Sequence, residues 1–293
     1  MEAGNIKKAA GSPSLEEVFY TVFWPASNAR PGAHPGLERG LGQRFLGVLR
    51  FLDYPDPRRL DLKASAFDPF QIARVRSYAQ RSAITVVVIA DLSASMGFSG
   101  TRFKLETLAS FVSTLAAASE RFGDRFAFIG CDSRVREDWT IPAGYGPGRG
   151  ETISRRLLAF QPRATNASGL AECYYHLPPR RSLVFLVSDF HLPVALIEKI
   201  LGALAKHDVI PVVLWDSQEF AALPERGLVR LRDPETGRRR TLWLRPLLKE
   251  RIAHTFNERR QLLRRLFQRF GRRPLFVVDC LDPERLAEYF LQQ

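Results

Sequence analysis

Residues 84–90, with the sequence Ile-Thr-Val-Val-Val-Ile-Ala, form an unbroken run of mostly β-branched side chains. A strand with one solvated face alternates apolar and polar residues, whereas an unbroken run is typical of a strand buried on both faces of a parallel sheet. Similar runs follow at residues 182–188 and 209–215, and apolar residues with helical spacing occupy residues 103–122 and 194–206. Strands that alternate with helices predict an α/β fold with a doubly wound, mostly parallel sheet of the Rossmann type.

Shorter patterns predict the elements around this core. Further strands are expected at residues 18–24, 126–131, 135–139 and 274–279, with an extended segment at 44–51 and a hairpin at 227–232 and 239–244. Further helices are expected at residues 152–159, 169–176, 247–270 and 283–291. We therefore divide the chain into a partly extended N-terminal segment with a flexible start (1–82, flexible over 1–14), an α/β domain (83–216) and a C-terminal segment with the hairpin, a basic helix and a closing strand and helix (217–293).

The composition indicates an ordinary folded protein. Of the 293 residues, 45% are hydrophobic and 25% are charged. The three cysteines, Cys131, Cys173 and Cys280, are too few and too scattered for a disulfide framework or a zinc knuckle. The first residues do not have the pattern of a signal peptide, and the run at residues 84–90 is too short to cross a bilayer. These features predict a soluble protein of the reducing cytoplasm.

The positive charge of the chain is large and unevenly distributed. A net charge of +12 suits a nucleic acid, an anionic membrane surface or an acidic protein partner. Much of this charge is arginine at residues 238–240 and 259–273. The predicted helix at 247–270 combines an Arg-rich face with an apolar stripe, and the stripe is better explained by core packing than by membrane anchoring. The Arg-rich face fits a solvated surface or, as an alternative function, nucleic-acid binding.

Oxygen-bearing side chains follow two of the predicted buried strands. Asp91, Ser93 and Ser95 come directly after the strand at 84–90, and Asp189 follows the strand at 182–188. Thr165 lies in a loop before a predicted helix. Ligand sites in open α/β sheets lie at the carboxyl ends of strands, so these five side chains are expected to converge. Hard oxygen donors with few carboxylates favour Mg²⁺, with Mn²⁺ or Ca²⁺ as alternatives, and leave the cation able to accept a further carboxylate.

A simpler interpretation of part of this pattern is also available. Asp91 could be a turn residue, and Ser95 or Ser99 could cap the helix that follows. A loop threonine and a second aspartate at a strand end, in that order along the chain, are harder to explain in this way. The combination favours the metal site.

These five residues resemble the metal-ion-dependent adhesion site of von Willebrand factor A domains, whose pattern is Asp-x-Ser-x-Ser, then Thr, then Asp. The resemblance covers about residues 83–216 and implies the fold of those domains. It also implies that Ser93, Ser95 and Thr165 contact the cation directly, whereas Asp91 and Asp189 act mainly through water. The resemblance further implies that the cation binds the carboxylate of an acidic residue of a partner protein.

A narrower resemblance reaches upstream. Residues 54–66, together with the phrases Gly123-Asp124-Arg125 and Ser188-Asp189-Phe190, look like a bacterial family of unknown function encoded beside MoxR-type AAA+ ATPases. Where that family usually has tryptophan this chain has Leu62, and the usual glycines before the threonine are Arg163 and Ala164. Many members begin with membrane helices, which this sequence does not show. The resemblance implies an ATPase partner that activates a client protein, and some relatives are linked to metal insertion into a dehydrogenase.

Binding, rather than catalysis, is the function that these patterns predict. No Gly-x-x-x-x-Gly-Lys-Ser/Thr loop for ATP is present, and no catalytic triad signature is found. A metal-dependent phosphohydrolase would need Asp91 or Asp189 as its base, and both are assigned to the metal. His191 is close enough in sequence to Asp189 to edge the metal site. The charged residues at 56–63 fit either a docking patch or a salt-bridged strand edge.

Overall fold

A computed structural model describes residues 20, 22, 24, 26, 30–98, 100–101, 103–220, 227–232 and 239–291. Residues 1–14, for which we expected flexibility, lie outside these ranges, as do Ser99 and most of the strand predicted at 18–24. The chain is an α/β protein, as predicted. In the described ranges, none of the helices combines the length and the apolar character that crossing a membrane would require.

Ten strands and six helices are defined in the described ranges. The strands are β1 Pro31–Arg50, β2 Arg74–Ser82, β3 Thr85–Asp91, β4 Arg125–Cys131, β5 Val135–Gly144, β6 Leu183–Ser188, β7 Asp208–Trp215, β8 Gly227–Arg232, β9 Arg239–Leu244 and β10 Leu275–Val278. The helices are α1 Leu62–Ala66, α2 Lys104–Phe122, α3 Arg149–Leu158, α4 Val194–Ala203, α5 Pro246–Arg269 and α6 Pro283–Leu291.

Six of the strands form one central sheet in the order β10-β7-β6-β3-β4-β5. All neighbours in it are parallel except β4 and β5, which form the antiparallel hairpin pair expected from the sequence. If these six strands alone are numbered in chain order, the sheet read from β5 has the order 3-2-1-4-5-6. The direction in which successive strands are added to the sheet therefore reverses between β3 and β6. In α/β sheets such a reversal places a crevice between the carboxyl ends of the two strands, and ligands bind there.

The apolar run of β3 is buried on both faces, which explains its lack of alternation. Val86, Val88 and Ala90 belong to one apolar cluster with α2 and α6. Val87 and Ile89 belong to a second cluster with α4 and α5. The C-terminal elements thus contribute to the same core as the central sheet, and β10 extends that sheet beside β7.

The helix predicted at residues 169–176 is wrong. The chain forms two 3₁₀ turns there, Ser168–Ala171 and Cys173–His176. The reason is the close approach of another loop: a Cβ on Gly169 would lie 2.3 Å from the backbone of Arg134, and the Gly169 N–H donates to the carbonyl of Asp132 at 2.9 Å. The contact fixes the start of the loop, and the bonds that follow run three residues back, as from the Glu172 N–H to the Gly169 carbonyl at 2.9 Å.

The described part of the N-terminal segment contains more strand than its sequence indicates. The extended segment expected at 44–51 is the end of the much longer β1, which pairs with β2 in an antiparallel, irregular register. The sequence pattern misses β2 because small or polar residues, Ser77, Ala79 and Ser82, fill most of its inward positions. Their alternation in hydrophobicity is therefore weak.

Hydrogen bonds to Asp124 connect the N-terminal segment to the central sheet. Its carboxylate is buried and accepts hydrogen bonds from the Ile84 N–H at 2.8 Å and the Tyr20 hydroxyl at 2.5 Å. His34 Nε2 lies 2.8 Å from the same carboxylate. Burial, followed by the charge of Asp124, raises the pKa of Tyr20. These contacts lie at the amino ends of β3 and β4, so they hold the sheet at the edge opposite the crevice.

Gly123 ends α2 in the left-handed region, with φ of +71°, and its N–H donates to the carbonyls of Ser119 and Glu120. We expect Gly123→Ala to lower the free energy of unfolding by about 1 kcal/mol, because a Cβ is disfavoured at this φ although nothing lies within 4 Å of it. Urea denaturation measures the change. Gly202→Ala is the control, since Gly202 lies inside α4 with equally open space and the substitution should be neutral or stabilising. Equal losses in both variants would contradict the role of the left-handed conformation.

Candidate metal centre

Asp91 is the last residue of β3, and the serines of the predicted site follow it in a tight loop. The Ser93 N–H donates to Asp91 Oδ1 at 2.9 Å, and the hydroxyls of Ser93 and Ser95 are 3.2 Å apart. Asp91 is fully buried, and Ser93 and Ser95 are also buried. Phe103, not Ser95, occupies the N-cap position of α2, and it makes no side-chain cap bond. Helix capping therefore does not account for Ser95.

Asp189 reaches the same edge of the sheet from the neighbouring strand. It follows β6, which pairs with β3 up to Ala90 and Val187. The Ser188 hydroxyl donates to Asp91 Oδ2 at 2.7 Å, so a side chain at the end of β6 is bonded directly to the acid at the end of β3. The two acids therefore lie together in the crevice at the reversal point of the sheet.

The loop that carries Thr165 lies against the serine loop. The Ala94 N–H, between Ser93 and Ser95, donates to the carbonyl of Ala164 at 2.8 Å. The 3₁₀ turn after Thr165 is held from the other side by the contact of Gly169 with Asp132. Thr165 itself has an exposed side chain. The structure thus brings the segments of all five predicted residues to one edge of the sheet.

Lys104, which the sequence analysis did not select, adds a positive charge at this site. Its Nζ lies 3.1 Å from Asp189 Oδ2 and 2.7 Å from Glu219 Oε1, and the side chain is only 2% exposed. Lys104 is the first residue of α2, where the helix dipole disfavours a cation. The sequence did carry one signal for this residue. A lysine at a helix N-terminus is unfavourable, so it indicates that carboxylates from elsewhere in the chain neutralise its charge.

The two acids of the site differ in their electrostatic environment. Burial, followed by the charge of Asp189, raises the pKa of Asp91 to about 6. Burial is the largest effect and acts to raise the pKa of Asp189, but the charges of Lys104 and His191 and the hydrogen bonds from both residues together lower it. Asp189 therefore has its counter-ion within the protein, whereas the charge of Asp91 is poorly compensated.

The available donors suit a hard cation. Two carboxylates and three hydroxyls are the oxygen ligands that Mg²⁺ and similar ions prefer. Within the described ranges, no group of three or more His, Cys, Asp and Glu side chains is placed to hold a metal ion. A cation at this edge would therefore depend on the hydroxyls. The incompletely compensated charge of Asp91 is what a cation would neutralise, so the residues fit the ion.

The family model described as "Protein of unknown function DUF58" matches residues 55–262, more than two thirds of the chain. The chain belongs to this family. An uncharacterized protein in the moxR 3′ region of Paracoccus denitrificans is 41% identical over 103 residues, which cover 35% of this chain and 98% of that protein.

Two solved structures overlap this DUF58 chain at low similarity. An aerotolerance-related membrane protein from Bacteroides fragilis is 14% identical with a TM-score of 0.41, covering 72% of this chain and 98% of its own. The conserved hypothetical protein BatB from Bacteroides thetaiotaomicron is 13% identical with a TM-score of 0.40, covering 72% of this chain and all of its own. These scores are too low to support a conclusion about fold or function.

Three of the charged residues at 56–63, all of which fall in the family match, form ion pairs within the N-terminal segment. Asp61 accepts the Ala64 N–H at 3.0 Å as the N-cap of α1 and forms an ion pair of 2.7 Å with Arg76 on β2. Asp56 lies 3.5 Å from Arg59. Hydrogen bonds from Ala64 and Arg76 lower the pKa of Asp61. The salt-bridged strand edge is thus present, and a docking role for this segment stays a prediction.

Proposed function

We propose that this chain is a metal-dependent protein-binding adaptor with a von Willebrand factor A-type site formed by Asp91, Ser93, Ser95, Thr165 and Asp189. The observation that carries the proposal is the hydrogen bond from the Ser188 hydroxyl to Asp91, which joins two strand ends at the reversal point of the sheet. Ligands of α/β sheets bind at such points.

Mg²⁺ is the resident ion that we propose, with Mn²⁺ or Ca²⁺ as alternatives. Lys104 is already paired with Asp189 and Glu219, so it does little to compensate Asp91. Burial and the charge of Asp189 raise the pKa of Asp91, so its ionised form lacks a compensating positive charge. A bound Mg²⁺ would supply a coordination position that the carboxylate of a partner protein can occupy.

The partner that we propose is a MoxR-type AAA+ ATPase or its client, engaged through an Asp or Glu of that protein. The support is the relative whose name places it in the moxR 3′ region, since the match covers nearly all of that protein. The role would be the maturation or activation of a client complex, of which metal insertion into a dehydrogenase is one form. A cytoplasmic location fits the free, buried thiols of Cys131 and Cys173.

Binding is favoured over catalysis because both acids are already engaged. Asp91 accepts hydrogen bonds at both carboxylate oxygens, from the Ser93 N–H and the Ser188 hydroxyl. Asp189 likewise accepts from the His191 N–H and from Lys104. In the proposed site the remaining lone pairs of both carboxylates would serve the cation and its water shell, which leaves neither acid as a general base.

Nucleic-acid binding is less well supported, because several arginines of the basic region pack against the protein itself. The guanidinium groups of Arg260 and Arg264 lie 5.0 and 5.4 Å from the ring centre of Phe276. Other arginines pair with acids of the fold, namely Arg269 with Glu198 and Arg272 with Asp208. These contacts use part of the Arg-rich face that a phosphate backbone would require.

Capture of a MoxR-type ATPase by the immobilised chain tests the proposal. We expect capture in Mg²⁺ and at least a tenfold loss in EDTA, since the partner carboxylate would lose its coordination position. Asp91→Asn should show the same loss in Mg²⁺. Asp138→Asn is the control, because Asp138 is an exposed acid on β5 and should leave capture unchanged. Equal capture in Mg²⁺ and in EDTA would refute the adaptor.

A further inference from the structure

Helix α5 contacts the turn that follows Asp189 through one arginine. Arg259 Nη2 donates to the carbonyls of Phe190 and Leu192, each at 2.5 Å. The guanidinium is about half buried, and the nearby charge of Asp189 partly offsets the lowering of its pKa by burial. A planar guanidinium that binds two carbonyls of one turn fixes their relative orientation.

The turn held by Arg259 has an unfavourable backbone conformation. Phe190 has a φ of +52°, which residues with a Cβ rarely adopt. Its ring is fully buried against Phe267 of α5, with centroids 5.1 Å apart, and its N–H donates to the Ser188 hydroxyl at 3.0 Å. Such conformations persist only where surrounding contacts hold them, and here two of those contacts come from α5.

The same turn sets the orientation of Asp189. The His191 N–H donates to Asp189 Oδ1 at 3.2 Å, and Trp215 Nε1 donates to the Asp189 carbonyl at 2.8 Å. A change in φ at Phe190 would rotate the peptide that carries the His191 N–H. The carboxylate of Asp189 would then lose one of the two groups that fix it, the other being Lys104.

We propose that Arg259 is a positioning residue for the metal site, acting through the turn at 189–192, so that docking of α5 sets the affinity of the site for Mg²⁺. This inference rests on the proposed metal site and adds a control element to it. Removing a group that orients a metal ligand without itself contacting the metal lowers metal affinity by about 10- to 100-fold. By linkage, Mg²⁺ in turn stabilises the docked position of α5.

Calorimetric titration of the full chain with Mg²⁺ alone tests this inference. We expect Arg259→Met to weaken binding by about tenfold or more and Arg259→Lys to restore part of the loss, because an ammonium can still donate to one carbonyl. Arg264→Met is the matched control, because Arg264 lies on the same helix and its guanidinium packs over the ring of Phe276. It should leave the affinity unchanged even if it lowers the midpoint of thermal unfolding.

A second measurement separates positioning from general stability. Amide hydrogen exchange should show that Mg²⁺ slows exchange at His191 in the wild type, and that this protection is lost in Arg259→Met and kept in Arg264→Met. An unchanged affinity in Arg259→Met, or an equal loss in both variants, would overturn the role of Arg259 and leave the metal site intact. A wild type that does not bind Mg²⁺ would overturn the metal site, and this inference with it.

Discussion

Asp91→Asn is expected to abolish Mg²⁺ binding and, in the absence of metal, to raise the free energy of unfolding at pH 8. Burial and the neighbouring Asp189 raise the pKa of Asp91 to about 6, so the ionised form is disfavoured in the folded chain. Asparagine has nearly the same shape without the charge. The Ser188 hydroxyl, which now donates to Asp91, can accept a bond from the new amide instead.

The pH dependence of this effect follows from linkage. An acid whose pKa is raised on folding contributes stability below its unfolded pKa, which is lost as the pH rises through the folded pKa. For Asp91 this window runs from the ordinary pKa of an aspartate, 3.8, to about 6. We therefore expect the variant to be more stable than the wild type by about 1–3 kcal/mol above pH 7 and to lose this advantage near pH 4.

Urea denaturation in EDTA at several pH values measures the stability, and calorimetry measures Mg²⁺ binding. Asp132→Asn is the matched control, since Asp132 follows β4 at the same edge of the sheet and is also buried. Its carboxylate accepts bonds from Arg134 and Arg136, so the control should be destabilised at pH 8. If Asp91→Asn were also destabilised in EDTA at pH 8, the charge of Asp91 would be compensated within the protein.

The parts of the fold that depend on local sequence could be predicted. The apolar runs of β3, β6 and β7 can be recognised as strands because a strand covered on both faces needs apolar residues at every position. Asp91 and Asp189 could be selected for a related reason, since the carboxyl ends of parallel strands share one edge of the sheet. Whether those residues bind a metal ion stays a prediction.

The remaining features depend on contacts between distant parts of the chain. The 3₁₀ turns near Gly169 pack against the backbone of Arg134, and no local pattern reveals this contact. Arg259 belongs to a helix whose many arginines look alike in sequence, and only packing shows which one reaches the turn after Asp189. Lys104 pairs with acids that lie 85 and 115 residues away.

Lys104→Met is expected to lower the free energy of unfolding of the metal-free chain by about 3–5 kcal/mol at pH 7. Lys104 is buried, and its removal leaves the carboxylates of Asp189 and Glu219 without their shared counter-ion. The charge of Asp189 already raises the pKa of Asp91, and without Lys104 no lysine would offset the repulsion between the two buried acids. A buried carboxylate without a partner is among the most destabilising changes that a single substitution can make.

Two conditions should reduce the loss in the free energy of unfolding that Lys104→Met causes. The first is low pH. Because the pKa of Asp189 is lowered in the folded wild type, its carboxylate contributes stability above the unfolded pKa of 3.8, and this contribution is lost as the pH falls through the folded pKa. The difference in the free energy of unfolding between Lys104→Met and the wild type should therefore shrink at low pH. Saturating Mg²⁺ should also restore part of the stability, and more in Lys104→Met than in the wild type, since a cation at the metal site would replace the missing positive charge.

Urea denaturation with and without Mg²⁺ measures both effects, and Lys206→Met provides the control. Lys206 is an exposed lysine after α4, so the same substitution there should change the free energy of unfolding by less than about 0.5 kcal/mol. A loss in Lys104→Met no larger than in this control would show that Lys104 contributes little at Asp189. If Mg²⁺ did not stabilise Lys104→Met, no cation would bind beside Asp189, because the variant removes the internal competitor for that carboxylate and should bind the ion most readily.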